Sequence, residues 1–219
     1  MNAAITRLKQ TAGRLPGASL LLSLFALALW CSPTLSHWCE WDRQQPWELW
    51  RWLTAHFCHW SGEHLAWDLI VFLALGTICE RHELTRFLII LAVAATAITF
   101  AVYLFLPGIM SYRGLSGLDS TLFGWLAAQL LSDAISKRDK KLGVVTIVFT
   151  GAFVAKLVWE WASASTVFVS STRGDFVPVP LAHAVGAVVG VAASVLARMS
   201  SARRKPSRRA PCHGAGARR

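Results

Sequence analysis

The chain has 219 residues, of which 54% are hydrophobic and only 16% are charged, and its formal net charge is +10. So much apolar sequence excludes a disordered chain, and five cysteines exclude a small disulfide-stabilised protein. The charge alone would suggest nucleic-acid binding. Together with the hydrophobicity it indicates a polytopic membrane protein without a nucleic-acid partner. A chain of this length leaves no room for a large soluble module, so we expect its chemistry in or at the lipid bilayer.

Six apolar stretches approach the roughly 20 residues that a helix needs to cross a bilayer. They cover residues 15–30, 61–79, 85–106, 116–131, 142–161 and 181–199. The first follows a basic head and resembles a signal peptide, but Trp30 stands where cleavage needs a small residue. We therefore predict an all-α protein with a cytoplasmic head over 1–14, a six-helix membrane domain over 15–199 and a disordered basic tail over 200–219.

The Lys and Arg residues are distributed unevenly between the two sides that alternate along these spans. With the amino terminus inside, seventeen of the 22 lie in inner segments and four in outer segments, while Lys156 lies within the fifth span. Positive residues favour the cytoplasmic side. We expect a multi-pass protein of the bacterial inner (cytoplasmic) membrane with both termini in the cytoplasm.

The outer loop between the first two spans is rich in tryptophan. Because these rings prefer the headgroup level, we expect the loop to lie in the membrane interface, and we favour anchoring over a ligand cage. The loop region also holds Cys31, Cys39 and Cys58 on the outer side, where a disulfide is compatible with the sequence but not inferable from it.

Four polar side chains are expected at the same depth in the membrane. His64 and Asp68 lie in the first two turns of the second span, Ser116 opens the fourth, and His183 lies in the first turn of the sixth. These three spans all run from outside to inside, so their first turns share a level near the outer face. Because polar groups inside spans are costly, their convergence predicts a functional site.

Ser116 and His183 are a candidate nucleophile and base. Ser116 follows Gly114 and Leu115 at a turn into a helix, where backbone amides are able to bind an oxyanion, although serine is also a common helix N-cap. Gly186 and Gly190 share the His183 face and allow a close helix approach, which is equally typical of a simple packing motif.

Other chemistry around this pair is less well supported. No acidic residue evidently accompanies His183, so the expected unit is a Ser–His dyad. Lys156 is a rival base, but Glu160 lies one helical turn away and we expect the two to form an ion pair. His59, His64 and Asp68 form only a loose metal signature, so we expect no metal and no other cofactor.

Taken together, these residues resemble the rhomboid family of intramembrane serine proteases over residues 56–190. The matching pieces are Gly114-Leu115-Ser116-Gly117, then Ala182-His183 with Gly186 and Gly190, and the series His56-Phe57-Cys58-His59, His64-Leu65, Asp68-Leu69, Leu75-Gly76 and Glu80. Their order and their distribution over the spans make the resemblance specific.

The resemblance implies a fold, an activity and site residues. It implies a six-helix rhomboid-like bundle and a serine endopeptidase with Ser116 as nucleophile and His183 as general base. It also implies that His64 and the Leu115 and Ser116 backbone amides help form the oxyanion hole. Asp68 departs from the Asn usual in rhomboids. It either is protonated and donates, or accepts from His64 and fixes its tautomer, and we prefer the second account because it needs no large pKa shift.

The segment from Tyr112 to Gly117 resembles the rhombosortase branch. That branch is associated with membrane-anchored protein substrates that carry a carboxy-terminal Gly-Gly motif, a helix and a basic tail. The alternative function is a catalytically inactive rhomboid-like protein that binds membrane helices, for which Asp68 is the only sequence support. The sequence indicates neither the substrate nor an oligomeric state.

Overall fold

The computed structural model describes residues 15–163 and 179–203. In chain order its α-helices are α1 (Gly17–Cys31), α2 (Pro33–Cys39), α3 (Arg51–Thr54), α4 (Gly62–His82), α5 (Leu84–Phe105), α6 (Ser116–Lys137), α7 (Lys140–Ser163) and α8 (Pro180–Arg203). A 3₁₀ turn, Ala55–Phe57, follows α3, and two short strands, β1 (Trp41–Asp42) and β2 (Ser111–Tyr112), form an antiparallel pair.

Each of the six predicted spans coincides with one of the long helices, which confirms the predicted helical membrane bundle. Helix α8 ends at Arg203, about one turn beyond the predicted end of the membrane domain at residue 199. The basic head over 1–14 and the tail from 204 lie outside the described residues.

Four helices among the described residues are each long and apolar enough to cross a membrane, namely α4, α5, α7 and α8. The helices α1 and α2 qualify only together, as a pair bent by 117°. Helix α6, the predicted fourth span, does not qualify. It packs against α4, α5, α7 and α8, so polar residues such as Asp119 and Thr121 are buried in protein instead of facing lipid.

Helices α6 and α8 approach each other through glycine, as predicted. A Cβ at Gly186 would clash with the Gly117 carbonyl oxygen, and one at Gly190 would clash with that of Thr121. Backbone therefore lies against backbone along two turns, which is the contact that small residues allow in membrane helices. The contact fixes the start of α8 against the start of α6.

Helix α1 is held by a carboxylate of α4. The Glu80 carboxylate accepts from the Ala18 and Ser19 amides at 2.9 and 2.7 Å, and from the Ser19 hydroxyl at 2.7 Å. The first amides of a helix have no acceptor within it, so Glu80 satisfies the beginning of α1. The rhomboid-like Glu80 of the sequence thus joins two helices at the end of the bundle where α4 finishes.

The loop after α2 folds against the bundle instead of lying entirely in the interface. Trp41 is fully buried, whereas Trp38, Trp47 and Trp50 are exposed and remain suited to anchoring. The Arg43 guanidinium donates to four carbonyl oxygens at and beyond the end of α5, those of Val102, Tyr103, Leu106 and Ile109. One arginine thus satisfies the helix end and fixes the loop.

Candidate active site

Ser116 and His183 meet at the end of the bundle where α4, α6 and α8 begin, which we call the site end. The Ser116 hydroxyl donates to His183 Nε2 at 2.9 Å. His183 is buried, and its neighbour Ala182 has its carbonyl oxygen near Gly117. The glycine contact between α6 and α8 therefore brings together a hydroxyl and an imidazole that are 67 positions apart.

The turn before Ser116 depends on Gly114. Its φ is +133°, a backbone conformation that residues with a side chain rarely adopt. A Cβ at Gly114 would lie 3.1 Å from His64 Cε1 and 3.8 Å from Ser116 Oγ. The imidazole of His64, in the first turn of α4, and the Ser116 hydroxyl thus both lie close to position 114, and both residues line the same cavity.

Asp68 collects three contacts on one oxygen. Its Oδ2 accepts from the Leu115 amide at 3.0 Å and from His59 Nε2 at 3.2 Å, and it lies 3.2 Å from His64 Nε2. The contact between Asp68 and His64, which lies one helical turn earlier, was expected. The contacts with His59 and the Leu115 amide, which both belong to loops, were not indicated by the sequence.

The Leu115 amide differs from the expectation. The resemblance assigned it to an oxyanion hole, but in the structure this N–H is occupied by Asp68 Oδ2. An ionised carboxylate only accepts hydrogen bonds, whereas an Asn amide also donates. The Asp68 carboxylate therefore accepts a hydrogen bond from the Leu115 N–H, which is then not available to an oxyanion. Ser116 and Gly117 open α6, where backbone amides have no acceptor within the helix.

The expectation that no acidic residue accompanies His183 is wrong. Glu160 Oε2 lies 2.9 Å from His183 Nδ1, and the Glu160 side chain is 2% exposed. The predicted ion pair is also present, with Lys156 Nζ 2.7 Å from Glu160 Oε1. Helix α7 runs opposite to α6 and α8, so its last two turns lie at the site end. The shared depth in the membrane that led us to His64, Asp68, Ser116 and His183 would have led us to Glu160 as well.

A cavity of about 660 Å³ opens beside Ser116. Its apolar wall comes from α4, α6 and α7 and includes Trp67, Phe123 and Phe153. Its polar wall includes Arg113 and Asp119, and Asp119 Oδ1 is buried without a hydrogen-bond partner among the described residues. Sequence reasoning did not single out Asp119, although it lies one turn after Ser116. The cavity is large enough for several side chains of an extended peptide.

His59 and His64 come together around Asp68 Oδ2. Among the described residues, no group of three or more His, Cys, Asp or Glu side chains has an arrangement that could hold a metal ion. Burial lowers the pKa of His59 below its usual value, and the neighbouring Asp68 carboxylate opposes this effect. Cys31, Cys39 and Cys58 carry free thiols.

Comparison with known proteins identifies the family. No curated protein matches the chain. A family model described as "Rhomboid domain" matches residues 46–200, which is more than two thirds of the chain and includes every site residue described above. Four apolar helices that each could cross a bilayer agree with this match. The chain is therefore an integral membrane protein that belongs to the rhomboid family.

Proposed function

We propose that the chain is an intramembrane serine endopeptidase in which Ser116 is the nucleophile and His183 the general base. The observation that carries this proposal is the 2.9 Å hydrogen bond from Ser116 Oγ to His183 Nε2 beside a large cavity. A serine hydroxyl is a weak nucleophile until a base accepts its proton, and this geometry supplies the base.

The reaction then has two halves. Ser116 Oγ attacks the scissile carbonyl carbon while its proton passes to His183 Nε2. The C–N bond of the tetrahedral intermediate breaks, His183 returns the proton to the leaving amine, and an acyl-enzyme remains. Water attacks the acyl-enzyme with the same base assistance, and Ser116 is regenerated.

The developing oxyanion needs donors in this site. His64 and the Ser116 amide are the candidates, because His64 lines the same cavity as Ser116 and the amide opens α6. Leu115 takes part only if its N–H leaves Asp68 Oδ2. Asp68 then acts on the imidazole of His64, whose orientation it fixes.

The proposed substrate is a protein anchored by a membrane helix. The aromatic wall of the cavity suits an apolar segment, and a helical peptide bond becomes accessible only where the substrate unwinds. Glycine favours that unwinding. The segment from Tyr112 to Gly117 supports the narrower proposal of a rhombosortase-like enzyme that processes Gly-Gly anchors.

The proposed location is the bacterial inner membrane, with both termini in the cytoplasm and the site end near the outer face. The excess of Lys and Arg in the inner segments supports this orientation. Fusions of a periplasm-active reporter after residues 45 and 139 test it. The first fusion should be active and the second inactive, and the reverse pattern would contradict the orientation.

Activity is tested with a fluorophosphonate probe and a reporter that carries a Gly-Gly, helix and Arg-rich ending, both in detergent. Wild type should be labelled and should cleave the reporter, and Ser116→Ala and His183→Ala should do neither. Ser136→Ala is the matched control, because Ser136 is an exposed residue near the other end of α6. If folded wild type is neither labelled nor active, the result contradicts the protease proposal and favours the alternative of a helix-binding rhomboid-like protein.

A second pair of reporters tests the narrower substrate proposal. The two differ only in Gly-Gly against Val-Val before the helix. Faster cleavage of the Gly-Gly form supports the rhombosortase-like assignment, and equal rates would reject it while leaving the protease proposal intact.

A further inference from the structure

We propose that Glu160 is a positioning residue for His183, so that the site is a Ser116–His183–Glu160 triad instead of a dyad. The inference rests on the proposed function. Its basis is the 2.9 Å contact between Glu160 Oε2 and His183 Nδ1, on the opposite side of the ring from Ser116.

The contact selects one tautomer of the imidazole. For His183 Nε2 to accept the Ser116 proton, Nε2 must be bare and the ring proton must lie on Nδ1. An ionised carboxylate accepts hydrogen bonds and donates none, so Glu160 Oε2 stabilises the Nδ1–H form. It also faces the positive charge that the ring gains when it takes the serine proton.

Lys156 forms an ion pair with the Glu160 carboxylate in this buried place. Its ammonium lies 2.7 Å from Glu160 Oε1, whereas Oε2 is left for the imidazole. An isolated buried carboxylate would be costly, and the ion pair offsets that cost. Lys156 Nζ is also 3.5 Å from His183 Nδ1, where an ammonium opposes a second positive charge. The two residues therefore act on His183 in opposite senses, and the shorter contact belongs to Glu160.

If the role of Glu160 were purely structural, its replacement would have a different effect. Helix α7 has few buried residues, and Glu160 is one of the two that its described part buries. If Glu160 only fixed α7 to α8, its replacement would lower thermal stability and the folded fraction together. A positioning residue instead changes turnover by the folded protein.

The test uses the full chain in detergent and compares Glu160→Gln with wild type for kcat, KM and thermal unfolding. The Gln amide has the same shape but can also donate to Nδ1, which favours the wrong tautomer. We expect kcat to fall about 10²–10⁴-fold with KM within about threefold, as for loss of the acidic member of a serine-protease triad. Glu80→Gln is the matched control, since this buried carboxylate contacts α1 and not the site. It should lower the unfolding temperature and leave kcat of the folded protein unchanged.

Two results would overturn the proposal while wild type is active. One is a Glu160→Gln kcat within twofold of wild type. The other is a loss of activity in Glu160→Gln that the fall in the folded fraction fully accounts for, which would assign the effect to the packing of α7. If wild type itself is inactive, the proposed function fails first, and that outcome is visible without any Glu160 variant.

A spectroscopic measurement on wild type tests the proposed tautomer of His183 even if Glu160→Gln does not fold. In ¹⁵N-histidine-labelled wild type, with His183→Gln used to assign the signal, the His183 ring should carry its proton on Nδ1 and show a downfield proton resonance. A proton on Nε2 in the resting enzyme would contradict the role of Glu160.

Discussion

Asp68 Oδ2 and the Leu115 amide are joined by a 3.0 Å hydrogen bond that connects α4 with the turn leading to Ser116. The same oxygen contacts His59 and His64, so one carboxylate orients two imidazoles and the turn before the nucleophile candidate. An acidic residue in this place repels an oxyanion directly. Its contacts instead suit an indirect role, in which Asp68 orients the imidazoles and the turn before Ser116.

Asp68→Asn should retain substantial hydrolysis, with kcat/KM within about tenfold of wild type. The Asn carbonyl oxygen can still accept from Leu115 and the histidines, because the side chain has the same length. Asp68→Leu removes the acceptor and should cost more than about a hundredfold, since three buried groups lose their partner. The measurement is kcat/KM on a membrane-anchored reporter, and complete inactivity of Asp68→Asn would count against this account.

Gly114→Ala should inactivate the protein more than it unfolds it. A φ of +133° is strained for alanine, and the new Cβ would lie 3.1 Å from His64 Cε1. We expect at least a tenfold loss of fluorophosphonate labelling rate, because the turn must shift His64 or Ser116. Gly108→Ala is the matched control in the same loop, where a Cβ meets nothing within 4 Å. Equal labelling of both variants would show that the turn tolerates a side chain.

Gly190→Ala should destabilise the fold by about 1–3 kcal/mol, the usual cost of overpacking. Its Cβ would clash with the Thr121 carbonyl oxygen and lie 2.7 Å from the Trp125 nitrogen, and neither backbone atom can move aside cheaply. Gly151→Ala, in α7, is the control. Its Cβ meets nothing within 4 Å, and alanine favours a helix by up to about 1 kcal/mol. Thermal unfolding in detergent should therefore separate the two variants in opposite directions.

Acidification should destabilise the protein through His56. Burial lowers the pKa of His56 to about 4, and its Nε2 donates to the Ala95 carbonyl oxygen at 3.0 Å. The unfolded chain takes up the proton near pH 6.5 and the folded chain does not, so stability is present above that pH and is lost as the pH falls toward 4. His56→Gln should lose less stability between pH 7 and pH 5 than wild type does. Identical losses would exclude His56 as a cause.

The helices of this fold could be predicted because lipid requires long apolar stretches, and each stretch produced a helix. The convergence of His64, Ser116 and His183 followed from the alternating direction of the spans. Both inferences rest on periodic or topological rules. They do not depend on the conformation of any loop.

The contact of Glu160 with His183, and the contacts of Asp68 with His59 and the Leu115 amide, were not predicted, for two physical reasons. Lys156 offered Glu160 a satisfying partner on its own helix, so the sequence showed no need for a third group. His59 and the Leu115 amide come from irregular segments, where side-chain spacing does not determine direction. The burial of Trp41 was missed for the same reason, because its position depends on the loop pairing with residues near Ser111 and Tyr112.

The polarity of α6 has a consequence for how the protein enters the membrane. A segment that carries Asp119 near one end and Asp133 near the other partitions poorly into lipid by itself. Its residence in the bilayer depends on the helices that surround it, including α8, which is synthesised later. We therefore expect the insertion of the helix that carries Ser116 to be coupled to the assembly of its neighbours, so that Ser116 enters the membrane as part of a folded unit.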